Sequence, residues 1–475
     1  MKAIFRSDAS RDIGSGHIYR CLTLADMLAQ TGWECAFACT AETVDIVPLL
    51  KTKGYETLPP DASAPCDLLV VDHYGLDEKY ERSARGWAKR IVVIDDLANR
   101  KHECDTLLDM TYGRSAYTYH GLVPDNALLL CGSHYALLRP EFAAYRLESL
   151  AHRQKLSSAP RVLVSLGSTN LGNVTGFVLQ ALADFPLPIA VDVVMGSGAY
   201  AYDEVKTLAA QNGFSLHTDT RDMALLMSTA DIAIGAGGTT SWERCTLGLP
   251  TLLIELADNQ SLIADALDAQ GAVINLGKLD DFEFSHLRKS LQALLENPPA
   301  LKEMSEKAAQ ICDGRGAARV HPALLADETT KNGNEVRLRL MEARDEERLL
   351  LWQSEPETRR FARNPNVPGA EEHAAWMART LSDANALPYI ILMDGLEAGH
   401  VRLNNRGDYW EVSILIDPAY HGMGAGAAAL SFLHKLHADK IIRAEVFQDN
   451  VGSLALFERA GYKRLQDNWF IHEKL

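Results

Sequence analysis

The sequence predicts an α/β protein in which two doubly wound parallel-sheet halves precede a smaller, separate α/β module. Three observations carry that expectation. From residue 1 to about 325, apolar strand-like runs alternate with helical patterns, as βαβ units do. A polar, proline-containing stretch, Ser157 to Pro160, interrupts the alternation, which restarts at Arg161. Asp327 to Glu335 then contains no apolar residue and reads as an interdomain linker. The expected division is therefore 1–156, 157–326, a linker over 327–335, and 336–475.

The first strand is the run Lys2 to Arg6, and the helix after it repeats Ile18, Cys21, Leu22, Ala25 and Ala29 at helical spacing. Further strands are expected at Asp67 to Asp72, Arg90 to Asp95, Arg161 to Leu166, Ile189 to Met195, Ile232 to Gly235 and Thr251 to Glu255. Val336 to Leu475 has its own strand and helix pattern and no cysteine.

At 475 residues the chain exceeds one ordinary core and suits about three domains. Met1 to Ser10 lacks a basic and apolar leader pattern, and no run of about 18 apolar residues occurs. A cytoplasmic protein without membrane partners is expected. Its eight cysteines lie scattered among apolar neighbours, without zinc-type spacing, and are expected to be reduced. A net charge of −16 argues against nucleic acid as a partner, while local amides can still hold a small anion.

His17 stands in the first turn of the first helix, behind a turn flanked by Gly14 and Gly16. Open α/β sheets bind ligands at such strand-to-helix junctions. The helix's positive end favours neutral imidazole, the form that accepts a proton. Two readings stand: a catalytic base, or a histidine that caps the helix or serves the core. Asp72, His73 and Tyr74 end a strand on the same rim, with Asp72 an orienting or structural carboxylate and Tyr74 a sugar or water contact.

Glycine-rich strand ends recur in the second half. Ala236-Gly237-Gly238 leads into Thr239, Thr240 and Glu243, so amides of Gly238, Thr239 and Thr240 can face a diphosphate while Glu243 accepts from ribose hydroxyls. Asn259 and Gln260 offer amides to a base, sugar or phosphate, and Ser165 to Ser168 closes a third strand similarly. Each such turn alone is also ordinary loop punctuation. Asp95-Asp96 reads as a turn or cap, so no metal is assigned.

Residues 1 to about 325 resemble the UDP-2,4-diacetamido-2,4,6-trideoxy-β-L-altropyranose hydrolases of pseudaminic acid biosynthesis, relatives of the GT-B glycosyltransferases. The resemblance rests on Arg6, Asp8, Ser10, Ile13, Gly14, Gly16, His17, Arg20, Cys21, Leu22, Leu24 and Ala25. It is supported by Val71 to Tyr74 with Asp77, Ile94 to Leu97, Gly235 to Gly238 with Glu243, and Ala257 to Gln260. It implies a GT-B-like pair of Rossmann-like domains. His17 would activate water, and UDP would lie on the second domain with Glu243 on the ribose. Gly14, Gly16, Asp72, Tyr74, Gly238, Thr239, Thr240, Glu243, Asn259 and Gln260 are the expected substrate contacts.

Residues 336–475 resemble GCN5-related N-acetyltransferases (GNAT). The stretch Tyr409 to Ile416, the turn Asp417 to Gly426 and the segment Asn450 to Tyr462 carry the resemblance. It implies acetyl-CoA as cosubstrate, with Leu415, Ile416, His421, Gly422, Gly424, Gly426 and Asn450 at the cofactor. His421 departs from the usual Arg or Gln, and Phe457 replaces a tyrosine that many relatives use as acid, which leaves the acid unassigned. Glu411 is either the base for the substrate ammonium or a cross-strand ion-pair partner. Together the two resemblances imply a bifunctional enzyme of pseudaminic acid biosynthesis that acetylates a UDP-4-amino-4,6-dideoxy sugar and then hydrolyses the diacetamido product. The rival expectations are a GT-B glycosyltransferase and a nucleotide-sugar-binding protein with a protein N-terminal acetyltransferase module.

Overall fold

The computed structural model describes residues 1–10, 14–155, 157–167, 170–383, 385–466 and 468–473. Two compact units divide them, Met1–Asp26 with Glu34–Ala317, and Met27–Trp33 with Ala318–Leu475.

The first unit contains two wholly parallel sheets. The first is built from β1 (Lys2–Ser7), β2 (Glu34–Ala38), β3 (Glu56–Leu58), β4 (Cys66–Asp72), β5 (Ala88–Ile94), β6 (Thr106–Asp109) and β7 (Leu128–Cys131), in the order β3-β2-β1-β4-β5-β6-β7. Strand order reverses between β1 and β4, whose carboxyl ends are in register at Ser7 and Asp72. Helix α1 (Gly16–Gln30) follows β1, and Ile18, Cys21, Leu22 and Ala25 on its inner face are buried. The helical periodicity read from the sequence therefore selects the core-facing stripe.

The second sheet contains β8 (Arg161–Ser165), β9 (Ala190–Met195), β10 (Ser215–Thr218), β11 (Ile232–Ala236), β12 (Thr251–Glu255) and β13 (Val273–Lys278), ordered β10-β9-β8-β11-β12-β13. Its order reverses between β8 and β11, which are in register at Ser165 and Gly235. Helix α2 (Thr239–Thr246) opens just beyond β11. Valine, leucine and isoleucine on the central strands β8, β11 and β12 are buried, as expected where helices cover both faces, whereas Leu216 on β10 and Ile274 on β13 are partly buried.

The second unit holds a mixed sheet of β14 (Glu328–Thr329), β15 (Glu335–Leu340), β16 (Ala386–Met393), β17 (Leu396–Asn405), β18 (Trp410–Ile416), β19 (Ile442–Glu445), β20 (Lys463–Arg464) and β21 (Trp469–His472). They run in the order β14-β15-β16-β17-β18-β19-β21-β20, with α3 (Ala370–Ser382), α4 (Ala425–Leu436) and α5 (Val451–Arg459) beside them. The pairs are antiparallel except β18 with β19, which pair only at Trp410/Ile442 and Glu411/Arg443. Beyond Glu411 the two strands part, although β18 continues to Ile416.

One expectation is corrected here. Residues 327–335 are not a bare linker, because β14 pairs with β15 at Glu328/Val336 and Thr329/Glu335 around an Asn332-Gly333 turn with Gly333 at φ 88°. Asp327 accepts two bonds from the Arg337 guanidinium, and Thr330 is buried. A stretch without apolar residues is held here by strand pairing and side-chain hydrogen bonds.

Candidate functional site

The switch point of the first sheet places His17, at the start of α1, against Asp72, at the end of β4. His17 Nδ1 lies 2.6 Å from Asp72 Oδ1, and both residues are buried. The carboxylate only accepts, so this contact is made by the tautomer with the proton on Nδ1 and the lone pair on Nε2; an Arg20 terminal nitrogen also stands 3.0 Å from Nδ1. Arg20, one helical turn after His17, donates Nε to Asp72 Oδ2 and a terminal nitrogen to Oδ1, each at 2.6 Å. Its other terminal nitrogen reaches Asp96 at 3.1 Å. Burial alone would raise the Asp72 carboxyl, but the charge of Arg20 and the hydrogen bonds from Arg20 and His17 prevail and hold it well below the usual carboxylate range. The Tyr74 ring meets His17 edge-on at 4.7 Å. Burial, reinforced by the negative charge of Asp96, raises the Tyr74 phenol.

Gly14 takes a positive φ and donates its N–H to Ser10, while Ile13 lies outside the described residues. A Cβ on Gly16 would stand 3.6 Å from Thr239 Oγ1, so the turn before His17 and the first turn of α2 approach each other. Gly238 caps α2 at φ 135°, a backbone geometry that favours glycine. Beneath this turn lies Arg244, 2% exposed, which bonds the Ala236 carbonyl at 2.6 Å and the hydroxyls of Ser241 and Thr240. A Cβ on Gly235 would come within 2.5 Å of that guanidinium. Desolvation pushes the Glu243 carboxyl up to about 7, against the pull of Arg139 and Arg244.

Gln260 packs on the same turn, since a Cβ on Gly237 would lie 2.9 Å from its own Cβ, and its Oε1 accepts from Leu256 N–H. Asn259 is exposed in the 3-10 turn Asp258–Gln260. Ser165 is buried, whereas Ser168 lies outside the described residues. Asp95 accepts from Arg100, Ala98 N–H and Tyr119, as a turn-stabilising carboxylate does.

In the second unit, Gly422 and Gly424 take φ 77° and 91°, and Gly424 caps α4. Gly426 has a different need: a Cβ there would stand 3.2 Å from Leu456 and 3.5 Å from Ile416, so it allows close packing. Leu415 and Ile416 lie on the portion of β18 that has left β19. The exposed His421 ring is bonded to the Ile416 carbonyl at 3.0 Å, and Asn450 caps α5 through Ser453 N–H. Glu411 is ion-paired on both oxygens, with Arg363 at 2.5 Å and Arg406 at 2.7 Å. This is the ion-pair arrangement that its residue type also permits. Phe457 is buried, and the Tyr462 hydroxyl beside it is bonded to His434.

Sequence reasoning gave no role to Arg244, took Arg20 only as part of the family pattern, and read Asp96 as a turn or cap residue, whereas it accepts from Arg20. The spacing of Arg20 three residues after His17 is a signal that they share a helix face. Asp96 meets Arg20 only through the arrangement of the sheet, whereas Arg244 finds Thr240, Ser241 and the Ala236 carbonyl within its own helix and the turn before it.

Comparisons with known proteins separate the same parts. Residues 161–319 match the family model described as glycosyltransferase family 28 C-terminal domain, and residues 335–463 match the acetyltransferase (GNAT) domain. A UDP-2,4-diacetamido-2,4,6-trideoxy-β-L-altropyranose hydrolase of Campylobacter jejuni is 29% identical over 57% of this chain and 97% of its own. An uncharacterized protein of Methanocaldococcus jannaschii is 24% identical over 100% of this chain and 99% of that one. The crystal structure of Acinetobacter baumannii MurG is similar over 67% of this chain and 98% of its own, at 16% identity and a TM-score of 0.49. The chain thus carries a glycosyltransferase family 28-like α/β region and a GNAT acetyltransferase domain in one polypeptide. No helix among the described residues is long and apolar enough to cross a membrane.

Proposed function

We propose that the protein acetylates the 4-amino group of a UDP-linked 4-amino-4,6-dideoxy sugar from acetyl-CoA, then hydrolyses the resulting UDP-2,4-diacetamido-2,4,6-trideoxy sugar to UDP and free sugar. The observation that carries this reading is the His17–Asp72–Arg20 arrangement at the switch point of the first sheet. With Nδ1 committed to Asp72, Nε2 removes a proton from water. The water oxygen forms a bond to the anomeric carbon while the bond from that carbon to the diphosphate oxygen breaks. UDP leaves as an anion, and the proton on His17 passes to solvent. The α2 N-terminus and the amides near Gly238 to Thr240 would stabilise the departing charge, with Arg244 beneath them. Glu243, Asn259 and Gln260 would take the nucleoside, and Gly14, Gly16 and Tyr74 the sugar side.

In the acetyltransferase domain, the parting of β18 from β19 supports a pantetheine slot along Leu415 and Ile416, and the Gly422–Gly426 turn suits a pyrophosphate. Acetyl-CoA would supply the acyl group: as the sugar nitrogen bonds to the thioester carbonyl carbon the C–S bond breaks, and CoA leaves as a thiolate that takes a proton from solvent. Asn450 and His421 would border this cosubstrate. Glu411 would accept the ammonium proton through water once a guanidinium contact opens, although its double ion pair favours the second reading, an ion-pair partner.

The match to glycosyltransferase family 28 favours one alternative for the first unit, transfer to an acceptor alcohol. Incubating the protein with the diacetamido UDP-sugar alone separates the two. Stoichiometric UDP and free sugar support hydrolysis, whereas UDP release only on adding an acceptor supports transfer.

A further inference from the structure

On β17, β18 and β19, register puts Arg402 opposite Ser413, and Glu411 opposite both Asn404 and Arg443. Cross-strand partners share a face, as do residues two apart on one strand. Arg402, Ser413, Asn404, Glu411, Arg443 and Glu445 therefore share one face of the sheet. Arg363 closes on that face by pairing with both Glu411 and Glu445, and Arg406 pairs with Glu411. The two carboxylates are thereby neutralised.

Arg402 and Arg443 are left over. Neither is within ion-pair distance of any carboxylate among the described residues, and the Nε of each is buried without a hydrogen-bond partner. Each guanidinium instead lies over an aromatic ring, Arg402 at 5.3 Å from the Trp376 centroid and Arg443 at 4.4 Å from that of Tyr409. Ser413, opposite Arg402, is exposed, so that end of the face is open to solvent. Half-burying two unmatched cations is unfavourable unless something offsets it, and stacking offsets only part. Their strands are two apart and their register positions two residues apart along β18, about 12 Å between backbones, a span that two extended arginines close around one diphosphate. The unmatched positive charge stands in a chain of net charge −16.

We propose that Arg402 and Arg443 form an anion subsite that holds the phosphates of the acetyl acceptor while its amine lies toward Glu411. The acceptor is thus a phosphate-bearing amine. This inference rests on the proposed acetyl transfer, and it assigns the residues that select its substrate.

The test compares acetylation by the full chain of amine pairs that differ only in phosphate: the UDP-linked amino sugar against the free amino sugar, and glucosamine 6-phosphate against glucosamine. Inorganic pyrophosphate is added as a competitor. The wild type should prefer the phosphorylated member, and pyrophosphate should compete with the acceptor and not with acetyl-CoA. Arg402→Gln and Arg443→Gln should each raise acceptor KM about tenfold to a hundredfold, leave the KM for acetyl-CoA within about threefold, and weaken pyrophosphate inhibition. Arg402→Lys, which keeps charge and stem, should recover part of the effect and controls for loss of packing on Trp376. If the UDP-sugar is not acetylated but glucosamine 6-phosphate is preferred in an Arg402-dependent way, the nucleotide-sugar reading fails and the subsite stands. Unchanged acceptor KM in both glutamine variants overturns the subsite and leaves acetyl transfer standing. Equal use of phosphate-free amines, or no transfer to any phosphorylated amine, also overturns it.

Discussion

The Nδ1 of His17 lies 2.6 Å from Asp72 Oδ1, and the same carboxylate is gripped by Arg20 through two nitrogens. One end of the imidazole is thereby fixed as a donor and the other left as an acceptor. Asp72→Asn keeps the shape but presents an amide that can donate to Nδ1 and so favour the wrong tautomer. We expect kcat for UDP release to fall by about 10² to 10⁴ with KM changed little. Steady-state kinetics check this, and a variant with altered KM and preserved kcat would place Asp72 on the substrate instead.

Glycine at 424 is required by its backbone, at φ 91° where it caps α4, with Thr330 at 3.4 Å from where a Cβ would stand. Gly424→Val should strain this turn by about 1 kcal/mol or more and reduce acetyl-CoA binding. UDP-sugar hydrolysis should continue at the wild-type rate. Calorimetric titration with CoA beside a UDP-release assay would reveal a shared defect if this separation is wrong.

Three buried histidines of the second unit give its stability a pH dependence. Burial pushes His400 and His434 down to about 3 and His321 down to about 4, with Arg402, His472 and Lys440 adding repulsion in turn. Above the unfolded value near 6.5 these rings are neutral in both states. Below it the unfolded chain gains protons that the folded one excludes, so stability falls as pH drops from about 6.5 toward 4. Each ring can contribute a slope of up to about 1.4 kcal/mol per pH unit. Glu243 acts in the opposite sense in the first unit, because its carboxyl is raised to about 7. Its contribution is present below the unfolded value near 4.5 and is lost as pH rises through 7. Denaturant melts at pH 5 and 8 should show His400→Gln weakening the acid sensitivity and Glu243→Gln helping more at pH 8 than at pH 5.

Removing residues 327–334 tests the hairpin that stands where a linker was expected. The deletion takes away the β14–β15 pairing, the Asp327–Arg337 ion pair and the side chain of Thr330 beside Gly424. We expect a lower Tm for the acetyltransferase transition and weaker acetyl-CoA binding. An unchanged melt would show that the segment is dispensable.

Much of this arrangement was legible in the sequence, and the exceptions have physical reasons. Strands such as Thr251–Glu255 announce themselves as short apolar runs beside glycine turns, whereas β6 and β7 are only four residues long and have no flanking signal strong enough. The hairpin at 327–335 carried one usable sign, Asn332-Gly333, a strong hairpin dipeptide, but its strands lack the alternating apolar residues that normally accompany it. His17 and Asp72 could each be singled out, since both end or follow a strand. Their contact could not, because it depends on β1 lying beside β4. The partners of Glu411 depend in the same way on the register of β17, β18 and β19.

The most direct test of the account is single-turnover reaction of the diacetamido UDP-sugar in ¹⁸O-labelled water, without any acceptor, comparing wild type with His17→Ala. Attack by water at the anomeric carbon predicts UDP free of ¹⁸O, label in the rapidly quenched sugar, and a rate loss of about 10² to 10⁴ in the variant while acetyl transfer persists. Label in UDP, or near-wild-type UDP release by the variant, would contradict it.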